Sequence, residues 1–186
     1  MKHPDDQGHP LTLPDYLRPG LDIVFVGYNP GERSARLGHY YAGIGNLFWS
    51  LLYESGLVPQ PLTFLDDQRI LEFNLGLTDL VKRSSRSSAD LTADETTSGA
   101  AVLREKLLRY RPRIACFNGK GVYERLSGGP CSPGLQSDRL GDSLAFVLPS
   151  TSARNGRFNR EEKLHYFREV KRCLDDIKAA PAALVR

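Results

Sequence analysis

Residues 21–31 read LDIVFVGYNPG, and no other stretch restricts the fold so tightly. The apolar run over residues 21–26 is short and rich in branched side chains, which predicts a strand buried on both faces. It stops at Gly27. The pentapeptide Gly27-Tyr28-Asn29-Pro30-Gly31 then supplies two glycines for unusual backbone angles and a proline that fixes one more. Strands buried on both faces belong to open α/β sheets, where ligands bind in the crevice beyond the carboxyl ends of the strands. Asn29 is the polar side chain that this turn presents there. Asn-Pro and Pro-Gly are also ordinary turn formers, so the pentapeptide alone is compatible with a structural turn as well as with a site.

The remaining pattern alternates helix and strand. A polar loop is expected over residues 32–45, long enough to be functional. Asn46 can cap a helix whose apolar face is Leu47, Phe48, Leu51 and Leu52, ended by Gly56. A helical stretch over residues 64–72 precedes a short strand at residues 74–81. Thr92 and Glu95 have capping-box spacing ahead of a helix that runs to Tyr110 and is stopped at Pro112. Residues 114–117 and 144–148 read as further buried strands, with a short helix at 122–126 and a glycine- and proline-marked loop at 128–134 between them. Asn159 and Glu162 cap a last helix with the stripe Leu164, Phe167, Val170, Leu174 and Ile177. Such alternation implies βαβ units and a mostly parallel sheet with helices on both faces. Residues 1–20, rich in proline, are expected to form an irregular leader, residues 21–178 one domain, and 179–186 a tail.

Composition narrows the function classes. At 186 residues the chain fits one well-buried domain, and 40% apolar with 25% charged residues is the balance of a soluble globular protein. The net charge of +3 permits a polyanionic partner without demanding one. Arg104, Lys106, Arg109, Arg111 and Arg113 read as a solvated helix face, and Arg154, Arg157 and Arg160 form a second cluster. Cys116, Cys131 and Cys173 fit no metal-binding spacing, so no zinc or iron–sulfur site is expected, and their odd number favours a reducing compartment. His3 and His9 fall in the leader, with metal binding the weaker reading. No apolar run approaches the roughly 18 residues of a membrane span, and no charged-then-apolar leader opens the chain. An intracellular protein without membrane contact is the expectation.

GYNPG, GHYYAGIGNLFW, PRIACFNGK and LPSTSAR, in this order and at these spacings, resemble the mismatch-specific uracil-DNA and thymine-DNA glycosylases. The likeness runs from about residue 13 to 177 and looks closer to the thymine-DNA branch in its last motif. It implies a three-layer α/β/α sandwich around a four-stranded parallel sheet, no metal, no cofactor, and hydrolysis of the bond between a base and its deoxyribose. It also implies roles. Asn29 matches the residue that holds the attacking water. Tyr41 matches the aromatic that stacks on the extruded base, with Tyr40 as the competing assignment. Gly27 and Tyr28 contribute backbone that reads the pyrimidine edge, and Ser34 faces its fifth carbon. Ser150, Thr151, Ser152 and Ala153 belong to the loop that grips the DNA backbone, and Arg154 matches the wedge that fills the vacated place.

Asp79 departs from the uracil-specific bacterial members, which carry lysine there. It is read either as a second water-activating or sugar-stabilising group, or as a turn cap or partner of Lys82 or Arg83. Lys82 and Lys120 are expected to be phosphate-facing or solvated. The expected partner is double-stranded DNA with G:U or related mismatches, met by a monomer that leaves an intact abasic strand. Two rivals stand beside this: a nucleotide-binding enzyme, although GYNPG lacks the P-loop lysine and GxGxxG spacing, and a mismatch-binding module without catalysis.

Overall fold

A computed structural model describes residues 12–180. Its centre is a five-stranded sheet in the order β2-β1-β3-β5-β4. β1 (Ile23–Gly27), β2 (Leu75–Asp79), β3 (Ile114–Asn118) and β5 (Ser143–Leu148) are mutually parallel, the four strands that the resemblance implies. Each is buried because its alternating side chains enter two different cores. Ile23 and Phe25 join Ile114, Cys116, Phe146 and Leu148 on one side, while Val24 and Val26 join Ala115, Phe117, Ala145 and Val147 on the other.

The first core is closed by α2 (Phe48–Glu54) and α5 (Arg160–Ala179). Phe25 meets Phe48 edge-on at 5.2 Å and stacks on Phe167 at 6.2 Å, so one strand residue fastens both helices. The second core is closed by α3 (Ala93–Tyr110) and α4 (Lys120–Ser127) through Leu103, Leu107, Val122 and Leu126. The capping boxes at Thr92/Glu95 and Asn159/Glu162 are both formed. No helix among the described residues is long and apolar enough to cross a membrane.

Two expectations need correction. The fifth strand, β4 (Gly134–Leu140), pairs antiparallel with β5 at the sheet edge, where only the loop up to residue 134 was read. Its sequence GLQSDRL is mostly exposed, and an edge strand without a buried face carries no apolar signal. Residues 32–45 are not all loop: α1 (Glu32–Leu37) follows the GYNPG turn and ends at Gly38, whose φ of 77° suits the left-handed cap. A 3₁₀ helix, Phe64–Phe73, stands where residues 64–72 were read as helical.

The leader is also partly ordered. Leu13 is buried in the first core, and Tyr16 pairs antiparallel with Leu77, covering the open edge of β2. Asp15 accepts from Thr78 Oγ1 at 2.7 Å, Lys82 Nζ at 2.7 Å and Lys106 Nζ at 2.5 Å. The basic run at residues 104–113 is therefore no bare solvated face: on α3 Lys106 holds Asp15 and Arg104 donates to the Leu126 carbonyl, and beyond it Arg113 pairs with Asp22. His3, His9 and the tail beyond residue 180 lie outside the described residues.

Burial works to raise the Asp15 carboxyl, but hydrogen bonds from Lys106 and Lys82 outweigh it and hold it below the ordinary carboxylate range. A depressed carboxyl stabilises the fold above its ordinary pKa and stops doing so as pH falls through the folded value. Asp15→Asn is thus expected to lose about 1–2 kcal/mol at pH 7, with the difference shrinking on acidification, as read by urea denaturation at pH 7 and below pH 4.

Candidate active site

Parallel strands carry their carboxyl ends to one edge of the sheet, and the register there puts Gly27 beside Asp79 and Asn118 beside Leu148. Beyond Gly27 the chain turns. The Gly27 carbonyl accepts from Leu80 N and the Tyr28 carbonyl from Val81 N, both at 2.9 Å, so the exits of β1 and β2 run together. The Tyr28 ring lies against α4, so close that a methyl on Gly121 would stand 3.4 Å from it.

Asn29 is held by its nitrogen. Nδ2 donates to Ser85 Oγ at 2.8 Å and to the Arg83 carbonyl at 3.1 Å. Ser85 Oγ in turn donates to the Ser87 carbonyl at 2.6 Å, so its lone pair faces Asn29. With the NH₂ group committed, Oδ1 is the atom left to accept a hydrogen bond from a guest. Ser85 N also donates to the Pro30 carbonyl at 3.1 Å, fixing the turn against the same segment.

Asp79 is 5% exposed. Its Oδ1 lies over Gly27, where an added methyl would come within 2.3 Å of it, and that is why no side chain fits at position 27. Oδ2 has no hydrogen-bond partner among the described residues. The partners that its sequence neighbourhood offers are engaged elsewhere. Lys82 binds Asp15 and donates to the Tyr40 hydroxyl at 3.2 Å, and Arg83 pairs with Glu95, Nη2 to Oε2 at 2.9 Å. Lys82 is therefore ion-paired, not a freely solvated lysine. Burial drives the Asp79 carboxyl up to about 7, with Asp15 adding to the rise and Lys82 and Lys106 opposing it.

Tyr40 and Tyr41 separate cleanly. Tyr40 is 1% exposed, its backbone N–H donates to Asp67 Oδ2 at 2.8 Å, and its hydroxyl donates to the Pro14 carbonyl at 2.9 Å. Trp49 Nε1 donates to its carbonyl at 3.1 Å. Tyr41, at a φ of 54°, turns the other way. Its partly exposed ring stacks on Phe48 at 3.9 Å, while its hydroxyl is buried without a partner among the described residues, near Gly27. Burial and then the Asp79 carboxylate push the Tyr41 phenol well above its ordinary range. Ser34 sits on α1, 7% exposed, and its Oγ accepts from Ala42 N at 3.0 Å while Arg33 Nε donates to the Ala42 carbonyl at 2.8 Å. Together they clamp the residue after Tyr41.

The second loop is held by a residue that the sequence reading did not single out as functional. Asn118, at the end of β3, donates from Nδ2 to Thr151 Oγ1 at 2.9 Å and accepts from Thr151 N at 3.0 Å. Its signal was the one that marks Asn29, a polar amide directly after a buried strand. Thr151 is 0% exposed, so it anchors the loop from inside instead of facing a phosphate. Ser150 and Ser152 are partly buried, and their hydroxyls accept from Ser152 N and Arg154 N, both at 3.3 Å. Ala153 and Arg154 form the exposed tip.

Both loops close on one rim. Leu47 N donates to the Thr151 carbonyl at 3.0 Å, and a methyl on Gly45 would stand 3.2 Å from Ala153 Cβ. Arg154 Nη1 donates to the Arg86 carbonyl, three residues from the Arg83 carbonyl that holds Asn29. Asn29 and Arg154, 125 positions apart in the sequence, thus border the same segment.

The carboxyl edge of this α/β sheet thus gathers an oriented amide, a buried carboxylate and a stacked tyrosine beside an arginine-tipped loop. The chain belongs to the Uracil DNA glycosylase superfamily, whose sequence profile matches residues 14–175. It is 35% identical over 183 residues to the G/U mismatch-specific uracil DNA glycosylase of Schizosaccharomyces pombe (strain 972), covering 90% of this chain and 56% of that protein. The chain therefore spans little more than half the length of that curated relative. The solution NMR structure of a candidate uracil DNA glycosylase from Methanosarcina acetivorans matches with a TM-score of 0.58 at 26% identity, over 86% of this chain and 97% of that one.

Proposed function

We propose that this chain is a monofunctional glycosylase that extrudes uracil from G:U mispairs in duplex DNA and hydrolyses its bond to deoxyribose. The observation that carries the reading is the fixed Asn29 amide, its Oδ1 left to accept from a guest at a strand end that also holds a buried carboxylate oxygen, Asp79 Oδ2, without a partner among the described residues. A base inside a duplex is out of reach, so the nucleotide must leave the stack, at a cost that is smallest at a mispair. Tyr41 offers the ring on which the base rests. As the N-glycosidic bond breaks, its electron pair leaves with the base and the sugar becomes cation-like. Water held by Asn29 Oδ1 forms the new bond to the anomeric carbon and gives up its proton. An amide orients water but does not take the proton, so the ionised form of Asp79 is assigned that task, or the stabilisation of the cationic sugar.

Arg154 would leave the Arg86 carbonyl to fill the vacated place, since a guanidinium can stack on bases and donate to the widowed partner. Arg154→Ala is expected to slow excision from a G:U duplex about tenfold, with a smaller effect on single-stranded uracil, where no partner base has to be replaced. The partly buried Ser150 and Ser152 and the exposed Ala153 would follow the DNA backbone, with Thr151 holding the loop in shape. A single chain carries every one of these groups, so a monomer suffices. The reading is tested with labelled duplexes carrying U or T opposite G or A, and with single-stranded uracil, each treated with alkali to reveal abasic product. Cleavage of the G:U duplex is expected, and a purified protein that leaves every duplex intact would overturn the proposal.

A further inference from the structure

Among the described residues, the large apolar side chain most exposed to water is Ile44, at 84%. It is presented by a rigid support. Asn46 N donates to the Gly43 carbonyl at 3.0 Å, closing a four-residue turn, and Gly45 at its third position has a φ of 72°, the backbone that a type II turn requires. Both ends of the turn are tied down. Ala42 is clamped through its N–H and its carbonyl by Ser34 and Arg33, while Leu47 is bonded to Thr151 and Phe48 N to Asn46 Oδ1. Folding gains little from an isoleucine held out in this way, because almost none of its surface leaves water. The neighbouring Gly45 faces Ala153 Cβ, immediately before Arg154 in the sequence.

We propose that Ile44 is a second DNA-inserting side chain, packing its aliphatic surface on the base pair next to the extruded nucleotide while Arg154 enters the vacated place. The two tips divide the chemistry. The guanidinium can stack and donate hydrogen bonds, whereas a branched aliphatic has only shape and dryness to offer and acts by wedging a base step open. This inference rests on the glycosylase reading.

The two contacts differ in their response to salt. An apolar wedge releases no counterions, so its loss weakens binding equally at every ionic strength, while loss of a charge that meets phosphate lowers the salt slope. The probe is a duplex with a tetrahydrofuran abasic analogue opposite guanine and 2-aminopurine in the adjacent pair. Binding is followed by anisotropy across a salt series, and unstacking by 2-aminopurine fluorescence. Ile44→Ala is expected to bind about tenfold more weakly, with an unchanged salt slope and a diminished fluorescence rise, and Ile44→Leu to restore both. If the parent chain binds and excises uracil while Ile44→Ala matches it in affinity and fluorescence, the wedge is overturned and the glycosylase reading stands. A lowered salt slope in Ile44→Ala would also overturn the wedge. If the parent chain ignores both this probe and a uracil duplex, the glycosylase reading falls and takes the wedge with it.

Discussion

Asp79→Asn is expected to stabilise the folded protein at pH 8 while reducing excision. Burial raises this carboxyl from its ordinary 3.8 to about 7, which places a penalty of about 4 kcal/mol on its charged form. Below the ordinary value the group is protonated in both folded and unfolded chains, and no penalty acts. Between about 4 and 7 the unfolded chain ionises first, so stability falls progressively as pH rises. Above about 7 the folded protein carries the charge and the full penalty. An asparagine keeps the shape and never ionises, so the stability gap between variant and parent should be near zero at pH 4 and open to a few kcal/mol at pH 8. Urea denaturation across this range measures it. Excision should show the opposite face of the same titration: the parental rate rises with pH through about 7, and the variant is slow and flat. A variant with parental stability at pH 8 and a parental pH–rate profile would remove the buried carboxylate from the account. The Oδ2 atom without a partner and the exclusion of any side chain at Gly27 fit a group kept at the expense of stability because the reaction uses it.

Asn29→Ala is expected to lower the single-turnover rate on a G:U duplex by roughly a hundredfold or more, the scale seen when one preorganised hydrogen-bonding group is lost. The fold should survive, because the substitution frees Ser85 Oγ and the Arg83 carbonyl on a partly exposed turn, at a cost of about 1 kcal/mol. Saturating enzyme separates the chemical step from any loss of binding. The double variant Asn29→Ala/Asp79→Asn is the sharper measurement. Two groups acting on one water should lose less together than the product of their separate losses. A parental rate for Asn29→Ala would end the water-holding role.

These two residues differ in how far their surroundings could be read beforehand. Asn29 sits five residues from the middle of an apolar run, and its place at a strand end follows from local pattern alone. Asp79 is also local in position, but its proposed partners Lys82 and Arg83 turn out to be bound to Asp15 and Glu95. A carboxylate flanked by cations in sequence thus forms no ion pair among the described residues. The choice between Tyr40 and Tyr41 was equally open in the sequence. The structure gives the two different surroundings, with Tyr40 bonded to Pro14 and Asp67 and Tyr41 stacked on Phe48 with its hydroxyl near Gly27.

What the sequence by itself determined is what depends on neighbours within about one turn: the buried strands and the GYNPG turn, the capping boxes at residues 92 and 159, the apolar stripe of α5, and through ordered motifs the family. These are set by side-chain periodicity and by hydrogen bonds three residues apart, which survive in any tertiary setting. Only the tertiary structure decided that a polar segment is the edge strand β4, that Asn118 clamps Thr151, that the leader covers β2, and that Asp79 is buried without an ion pair among the described residues. Each of these turns on which distant groups exclude solvent or supply a partner, and no local pattern carries that.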